Sequence, residues 1–455
     1  MVRGDCFGVD RGRLRALRAQ EEAHFAERTP RSRQLLEAAR LRMPRGVPMG
    51  WMAGLYRHPP IFAAHGHGAR FVDADGNRYL DMNQADLSMT CGFNPPEVVE
   101  AVARRMEAGS HFLLPTQDAI AVAGALADRF GLPYWQFTLS ASSANVEALR
   151  VARVATGRKQ IVIFHGKYHG HIDDTLASDD GSGPVHDLLG LPSDAGRHTT
   201  AVEFNDLAAL ERALAAGQVA AVLTEPALTN CTLVLPDAGF HVGVRRLTRA
   251  YGALLILDET HTQAAAFGGL TRAWGLEPDI VTLGKSLGGG VPIGAYGMTG
   301  DLAQTMERHP EIDIGDQPGL ATGGTMYANA LSLAAARAAL DHVLTPEGYA
   351  RVGRLGAWLA DGLEAIFARR GLPWRAHRLG GRSGYCLTPA LPHNAREAAP
   401  SIDAELIDTP RVFLANRGIW EAIATSGPAV SFAHVEADID EYLAAADAFC
   451  ATLAG

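Results

Sequence analysis

The sequence predicts an α/β protein in which a mostly parallel sheet is covered by helices and a smaller α+β region is attached. Three observations carry this. Short apolar runs such as QIVIF (160–164), AAVLT (220–224) and ALLIL (253–257) suit strands buried on both faces, and they alternate with stretches of helical periodicity. The 455 residues, 47% of them hydrophobic, can bury a large core and divide into more than one lobe. Finally, two of the apolar runs end in opposite charges: ALLILD stops at Asp258, and DIVTLGK reaches Lys285 ahead of Gly288, Gly289 and Gly290. Carboxyl ends of neighbouring parallel strands converge on one crevice, so Asp258 and Lys285 are expected to meet across a bound ligand.

Composition excludes several classes of partner. A net charge of −9 without a long run of one sign argues against nucleic acid or an anionic membrane. The five cysteines, Cys6, Cys91, Cys231, Cys386 and Cys450, are far apart and lack metal-ligand spacing, which predicts reduced thiols in the cytoplasm, no disulfide and no structural zinc. The segment MVRGDCFGVDRGRL holds no apolar core of signal-peptide length, and no stretch reaches the roughly 18 apolar residues of a membrane span.

Taken in order, residues 10–43 read as a charged amphipathic helix with Leu14, Leu17, Phe25, Leu35 and Leu36 on its apolar side. The prolines of PRGVPMGWMAGLYRHPP make 44–60 an irregular loop. Its Trp51, Met52, Leu55 and Tyr56 give it the apolar bulk of a pocket wall or an interface. RFVDADGNRYLDM reads as a hairpin through Asp75 and Gly76. Helices follow from Pro95 and from Ala119 to Phe130. The next stretch, WQFTLSASSANVEALRVARVATGR, is a strand, a turn of small residues and a helix. Ser140, Ala141 and Ser142 stand at that helix start, where free N–H groups favour an anion. After QIVIF comes HGKYHGH, whose three histidines lack the partners of a recognisable metal site. AAVLTEPAL ends its strand at Glu225 and Pro226, and a helix over 237–251 leads to the central strand. From about 332 the chain reads as an Ala-rich helix, a strand pair in LPWRAHRLGGRSGYCLTP, a loop around Asn394–Thr409, a helix over Val412–Arg417 and a final helix 436–453. The expected division is an arm and loop at 1–75, a large domain at 76–331 and a small domain at 332–455.

A lysine amine for a Schiff base, and a carboxylate that keeps a pyridine nitrogen protonated, are what pyridoxal phosphate requires. The segments LDET and TLGKSLGGG resemble the LDEV and GK signature of the class III, or omega, aminotransferases, in the branch that includes glutamate-1-semialdehyde aminomutase. The resemblance covers nearly the whole chain and is most specific between Ser140 and Asn329. It implies fold type I of the pyridoxal-phosphate enzymes, with Lys285 carrying the cofactor and Asp258 on the ring nitrogen. Ser140, Ala141 and Ser142 fall where the family writes Ser-Gly-Thr, and Ala144 and Asn145 agree with its pattern. The Tyr168, His169 and Gly170 triplet matches a motif whose aromatic ring lies over the cofactor, and Glu225 is placed near the phenolic oxygen or the substrate amine. Thr325, in TGGTMYANALSLAAARAAL, matches a threonine that reaches the phosphate of the other subunit, so the resemblance implies a homodimer. Thr260 and His261 depart from the family's Val-Gln or Val-Met, and His261 is expected close to the cofactor oxygen.

The implied activity is transamination from a small-molecule amine donor to a keto-acid acceptor such as pyruvate. A mutase of the glutamate-1-semialdehyde type and a β-amino-acid aminotransferase are the alternatives. Relatives carry an Arg after the early Pro-Gly segment, but this chain has Met49, Trp51 and Met52 there and no Arg between Arg45 and Arg57. Trp420 and Ile423 stand where some relatives have a second carboxylate-binding Arg. Trp51, Tyr56 and Trp420 are therefore expected to form an apolar substrate pocket, with Arg378, Arg382 or Arg411 as the remaining carboxylate clamps.

Overall fold

The computed structural model describes residues 8–179, 184–186, 189–309, 319–421 and 427–453. Its packing divides the chain into two units, one of residues 96–347 with 393–397, the other of residues 1–95, 348–392 and 398–455. These limits differ from the boundaries expected at 75/76 and 331/332. Strand Arg78–Asp81 is built into the sheet of the N-terminal unit, and helix Ala330–Ala338 packs on Pro96–Ala108 in the large one.

The large unit holds a seven-stranded sheet in the order Tyr134–Thr138, Gly294–Met298, Ile280–Leu283, Leu254–Asp258, Val219–Thr224, Gln160–Phe164, Thr199–Val202. Only Gly294–Met298 among these runs against its neighbours. The runs read as buried strands are strands with every residue of Val219–Thr224 and Ile280–Leu283 buried, as continuous apolar sequence requires in a sheet covered on both faces. Helix Ala141–Thr156 lies on this sheet. Its buried Ala144, Ala148 and Ala152 let its backbone come close to Ile161, Ala221 and Ile256 beneath it. In register, Leu257 faces Thr224 and Asp258 faces Thr282, so the chain leaves three adjacent strands at one edge, at Glu225, Glu259 and Gly284.

The other unit begins with two helices, Arg11–Arg28 and Pro30–Arg40, where the sequence reading expected one. Pro30 has no N–H to continue a helix and disfavours helical geometry at Thr29, which sits at φ −123° and ψ 45°. The second helix is capped from a distance: Asp75, in the expected hairpin turn, accepts from the Arg31 and Ser32 N–H groups. The hairpin strands Arg70–Asp73 and Arg78–Asp81 are flanked by Ala63–His67 and by Ile419–Trp420, which pairs in parallel with Arg78–Asp81. A two-residue strand leaves no periodicity to read.

The Ala-rich helix ends in a π-turn at Ala339–Val343, and a separate helix, Pro346–Arg370, follows it. The expected loop to Thr409 contains the first half of helix Ala404–Ala415, which Asp403 caps through the Leu406 N–H; Pro410 lies inside that helix. Cys91, Cys231, Cys386 and Cys450 are buried thiols, while Cys6 lies outside the described residues. Among the described residues no helix is long and apolar enough to cross a membrane.

Candidate active site

All the residues singled out between Ser140 and Thr325 belong to the large unit, and most gather at the strand edge just described. Asp258, at 3% exposure, is its centre. The Nδ1–H of His169 donates to Asp258 Oδ2 over 2.9 Å, Asn145 Nδ2 donates to the same oxygen over 2.8 Å, and the Thr260 N–H donates to Oδ1 over 3.0 Å. Burial by itself raises a carboxylate pKa, but the His169 hydrogen bond and charge, with the donors on Thr260 and Asn145, hold Asp258 below the ordinary range. It is built to stay an anion.

Asn145 ties the cluster together. Besides Asp258 it donates to the His169 carbonyl over 2.9 Å and accepts from the Thr282 hydroxyl over 2.6 Å, joining helix, loop and two strands. Sequence reading noted Asn145 only as part of a pattern, because the donor count of a buried amide depends on what folds against it. Glu259 has a different task. Its carboxylate accepts from the Leu270 and Thr271 N–H groups and from the Thr262 hydroxyl, which fixes the turn into helix Gly269–Ala273.

Lys285 follows strand Ile280–Leu283 and is half-buried, with φ at 44°. A non-glycine residue held there stores backbone strain, which persists where surrounding structure enforces it. The preceding peptide is fixed by the buried Gln263, whose Nε2 donates to the Gly284 carbonyl over 2.8 Å. Gly284 also lies close to the start of helix Ala141–Thr156, since a Cβ on it would come within 2.8 Å of Ala141 Cβ. Ser140 is the N-cap of that helix and its Oγ accepts from the Ser143 N–H. Ser142 Oγ accepts from the His171 N–H over 3.0 Å, and Gly170, at φ 94°, leaves no room for a side chain against Ser142. Thus the helix start, the 168–171 loop and the lysine turn are packed on one another, and the free N–H groups of such a start suit an anion.

Glu225 forms a second centre, also 3% exposed. Its Oε1 accepts from the Tyr168 N–H over 3.3 Å, and its Oε2 from the N–H and hydroxyl of Thr229 over 3.1 and 2.5 Å. The Thr229 hydroxyl also meets His261 Nδ1 at 2.7 Å. Burial first, and then the charge of Asp258, push Glu225 up to about 8 despite these bonds. The Tyr168 side chain is 42% exposed. Thr325 is exposed too, in a turn held by Glu147, which accepts from the Gly323 N–H over 2.6 Å. Thr229 and Gln263 are site-building residues that the sequence reading missed, and nothing in their local pattern marks them.

The N-terminal unit has its own cavity of about 760 Å³, walled by Met52, Leu55, Tyr56, Phe71, Phe93 and Trp420, with Asp81 and Asn83 on its polar side. Tyr56 and Trp420 pack at 4.6 Å between ring centroids. Trp51 is not part of this wall: it is 49% exposed on the 3-10 turn Gly50–Ala53, and Ile423 lies outside the described residues. Among the described residues no Arg or Lys lines the cavity. Arg411 is buried above the Tyr56 ring, 4.9 Å from its centroid, and donates to the Leu55 carbonyl. Arg378 is paired with Asp361, and Arg382 is buried away from the cavity lining.

Comparison with known proteins places this geometry. The family model for aminotransferase class III matches residues 52–378. The glutamate-1-semialdehyde 2,1-aminomutase of Gemmatimonas aurantiaca is 35% identical over 430 residues, covering 92% of this chain and 95% of the relative. A crystal structure of a glutamate-1-semialdehyde aminomutase from Pseudomonas aeruginosa PAO1 in complex with PMP is 36% identical, with a TM-score of 0.93 over 98% of this chain and all of that one. An omega-transaminase from Sphaerobacter thermophilus follows at 29% identity and a TM-score of 0.84, covering 93% of this chain and 98% of the other. The family match over most of the chain, and a fold and sequence shared with these proteins across almost its whole length, identify the chain as a member of the class III aminotransferases, pyridoxal-phosphate-dependent enzymes of fold type I.

Proposed function

We propose that Lys285 holds the cofactor covalently and that Asp258 keeps its ring nitrogen protonated. Ser140, Ala141 and Ser142 at the helix start would take the phosphate, Tyr168 and His169 the ring, and Glu225 and His261 the oxygen-bearing edge. The observation that carries this is the Asp258 cluster, a buried carboxylate held ionised by His169, Asn145 and Thr260. The residues fit the group, because His169 Nε2 is buried without a hydrogen-bond partner and Gly170 and Gly284 bring their loops against the small-residue helix start where a side chain would not fit. Bound pyridoxal phosphate supplies an electron sink for bond cleavage at the amine-bearing carbon. Lys285 would move a proton on and off that carbon as general base and acid.

For the overall reaction, similarity to aminomutases over more than nine-tenths of the chain favours relocation of an amino group within one substrate. A second reading, transamination from an apolar amine to a keto acid such as pyruvate, is favoured by the sequence around Trp51, which has no Arg between Arg45 and Arg57 to pair with a substrate carboxylate. A homodimer with Thr325 at the partner's site is supported by the exposure of Thr325 and of Phe112, Leu113, Leu114 and Ile120.

One experiment separates the two reactions. A mutase turns over a single vicinal amino carbonyl compound, an α-amino aldehyde or α-amino ketone, with no added acceptor. A transaminase given 1-phenylethylamine stops after one equivalent until pyruvate is added. Borohydride reduction and peptide mapping should find the label on Lys285, and a label on another lysine would overturn the assignment. An active monomer by light scattering would reject the shared site.

A further inference from the structure

Glu225, Thr229 and His261 are 3%, 0% and 5% exposed, and they form an unbroken line of hydrogen bonds closed from water. The Thr229 hydroxyl sits in the middle, 2.5 Å from Glu225 Oε2 and 2.7 Å from His261 Nδ1. It has one proton, so it can donate to only one of them and must accept from the other. Two arrangements satisfy both contacts. In the first, Glu225 is a carboxylate, Thr229 donates to it, and His261 Nδ1–H donates to Thr229, leaving Nε2 without a proton. In the second, Glu225 carries a proton and donates to Thr229, which donates to His261 Nδ1, and the imidazole proton is on Nε2.

We propose that these three residues are a proton relay in which ionisation of Glu225 sets the tautomer of His261, with Thr229 as the positioning residue that couples them. The step balances. A proton arriving at His261 Nε2 forms that N–H bond, the Nδ1 proton passes to Thr229 Oγ1, and the former Thr229 proton passes to Glu225 Oε2. One proton enters and one is held, and His261 is neutral before and after. The histidine that departs from the family pattern thereby becomes a hydrogen-bond donor or acceptor on command of a carboxylate two contacts away. The relay belongs to the site read above as the cofactor pocket, but its existence is independent of which group that pocket holds.

The titratable groups around Glu225 are Asp258 with its partner His169, Cys231 in the same loop with Glu203 acting on it, and His261. The test uses the full chain as purified, labelled with 15N-histidine, with the His261 signals assigned by their absence in His261→Asn. In the wild type the Nδ1 and Nε2 shifts should trade places as pH rises through the Glu225 transition near 8. Nε2 carries the proton below the transition and Nδ1 above it. Thr229→Ser should retain the exchange, whereas Thr229→Val should abolish it and Glu225→Gln should fix one tautomer at every pH. A wild-type His261 that keeps one tautomer, or that protonates on both nitrogens together, overturns the relay, as does persistence of the exchange in Thr229→Val. An absent cofactor absorbance would count against the proposed function and leave this result unaffected.

Discussion

Asp258 and Glu225 end adjacent strands and are equally buried, yet their acidities are displaced in opposite directions. Both lose hydration, and both accept several hydrogen bonds. The difference lies in the sign of the neighbours. Asp258 receives a histidine ring N–H at 2.9 Å along with Asn145 and Thr260, while Glu225 receives neutral donors and faces the charge of Asp258 itself. Burial alone therefore does not decide whether a carboxylate is an ion. The site separates the two roles by surroundings, one carboxylate kept charged and the other able to hold a proton in the neutral range.

The largest expected effect comes from removing the charged member. Asp258→Asn should lower turnover by about a thousandfold or more, on the order of 4 kcal/mol in barrier, with an unchanged circular dichroism spectrum. Turnover within tenfold of wild type would show that the anion is not needed.

Next is the pH dependence of stability. Glu225 binds its proton in the folded chain up to about 8, whereas in the unfolded chain it ionises near 4.5. The folded state thus binds more protons between these values, and stability should fall as pH rises from 5 to 8, by about 4 kcal/mol at most. Glu225→Gln should remove that fall in urea titrations. Asp258 has the opposite sign, since its depressed pKa stabilises the fold above the unfolded value and is lost as pH falls through the folded one. If wild type and Glu225→Gln share one slope between pH 5 and 8, the contrast between the two carboxylates is wrong.

A smaller effect should follow from Asn145→Ala, which leaves the His169 carbonyl, one Asp258 oxygen and the Thr282 hydroxyl each short of a partner. A loss of about 1–3 kcal/mol in unfolding free energy is expected. A loss below half of that range would mean that water replaces the amide.

Much of this was legible in the chain. The apolar runs ending at Thr224, Asp258 and Leu283 read directly as buried parallel strands, because a strand covered on both faces tolerates nothing else. That pattern alone placed Asp258 and Lys285 at one sheet edge. Where an isolated proline sets the geometry the outcome was mixed: Pro30 broke a helix read as continuous, whereas Pro410 was accommodated inside one. The arm helix could not be judged without the hairpin, since its cap comes from Asp75, more than forty residues away.

What the sequence determined by itself was the identity and order of the groups: a lysine and an aspartate at strand ends, a helix start of small residues, a glutamate before a proline. Only the tertiary structure decided their states. The anionic character of Asp258, the raised pKa of Glu225, the Thr229 bridge to His261 and the exclusion of Trp51 from the aromatic cavity all depend on which distant segments pack together. Local pattern fixes where a side chain is delivered. Hydration, hydrogen-bond partners and neighbouring charge, which fix what it does there, exist only once the chain has folded.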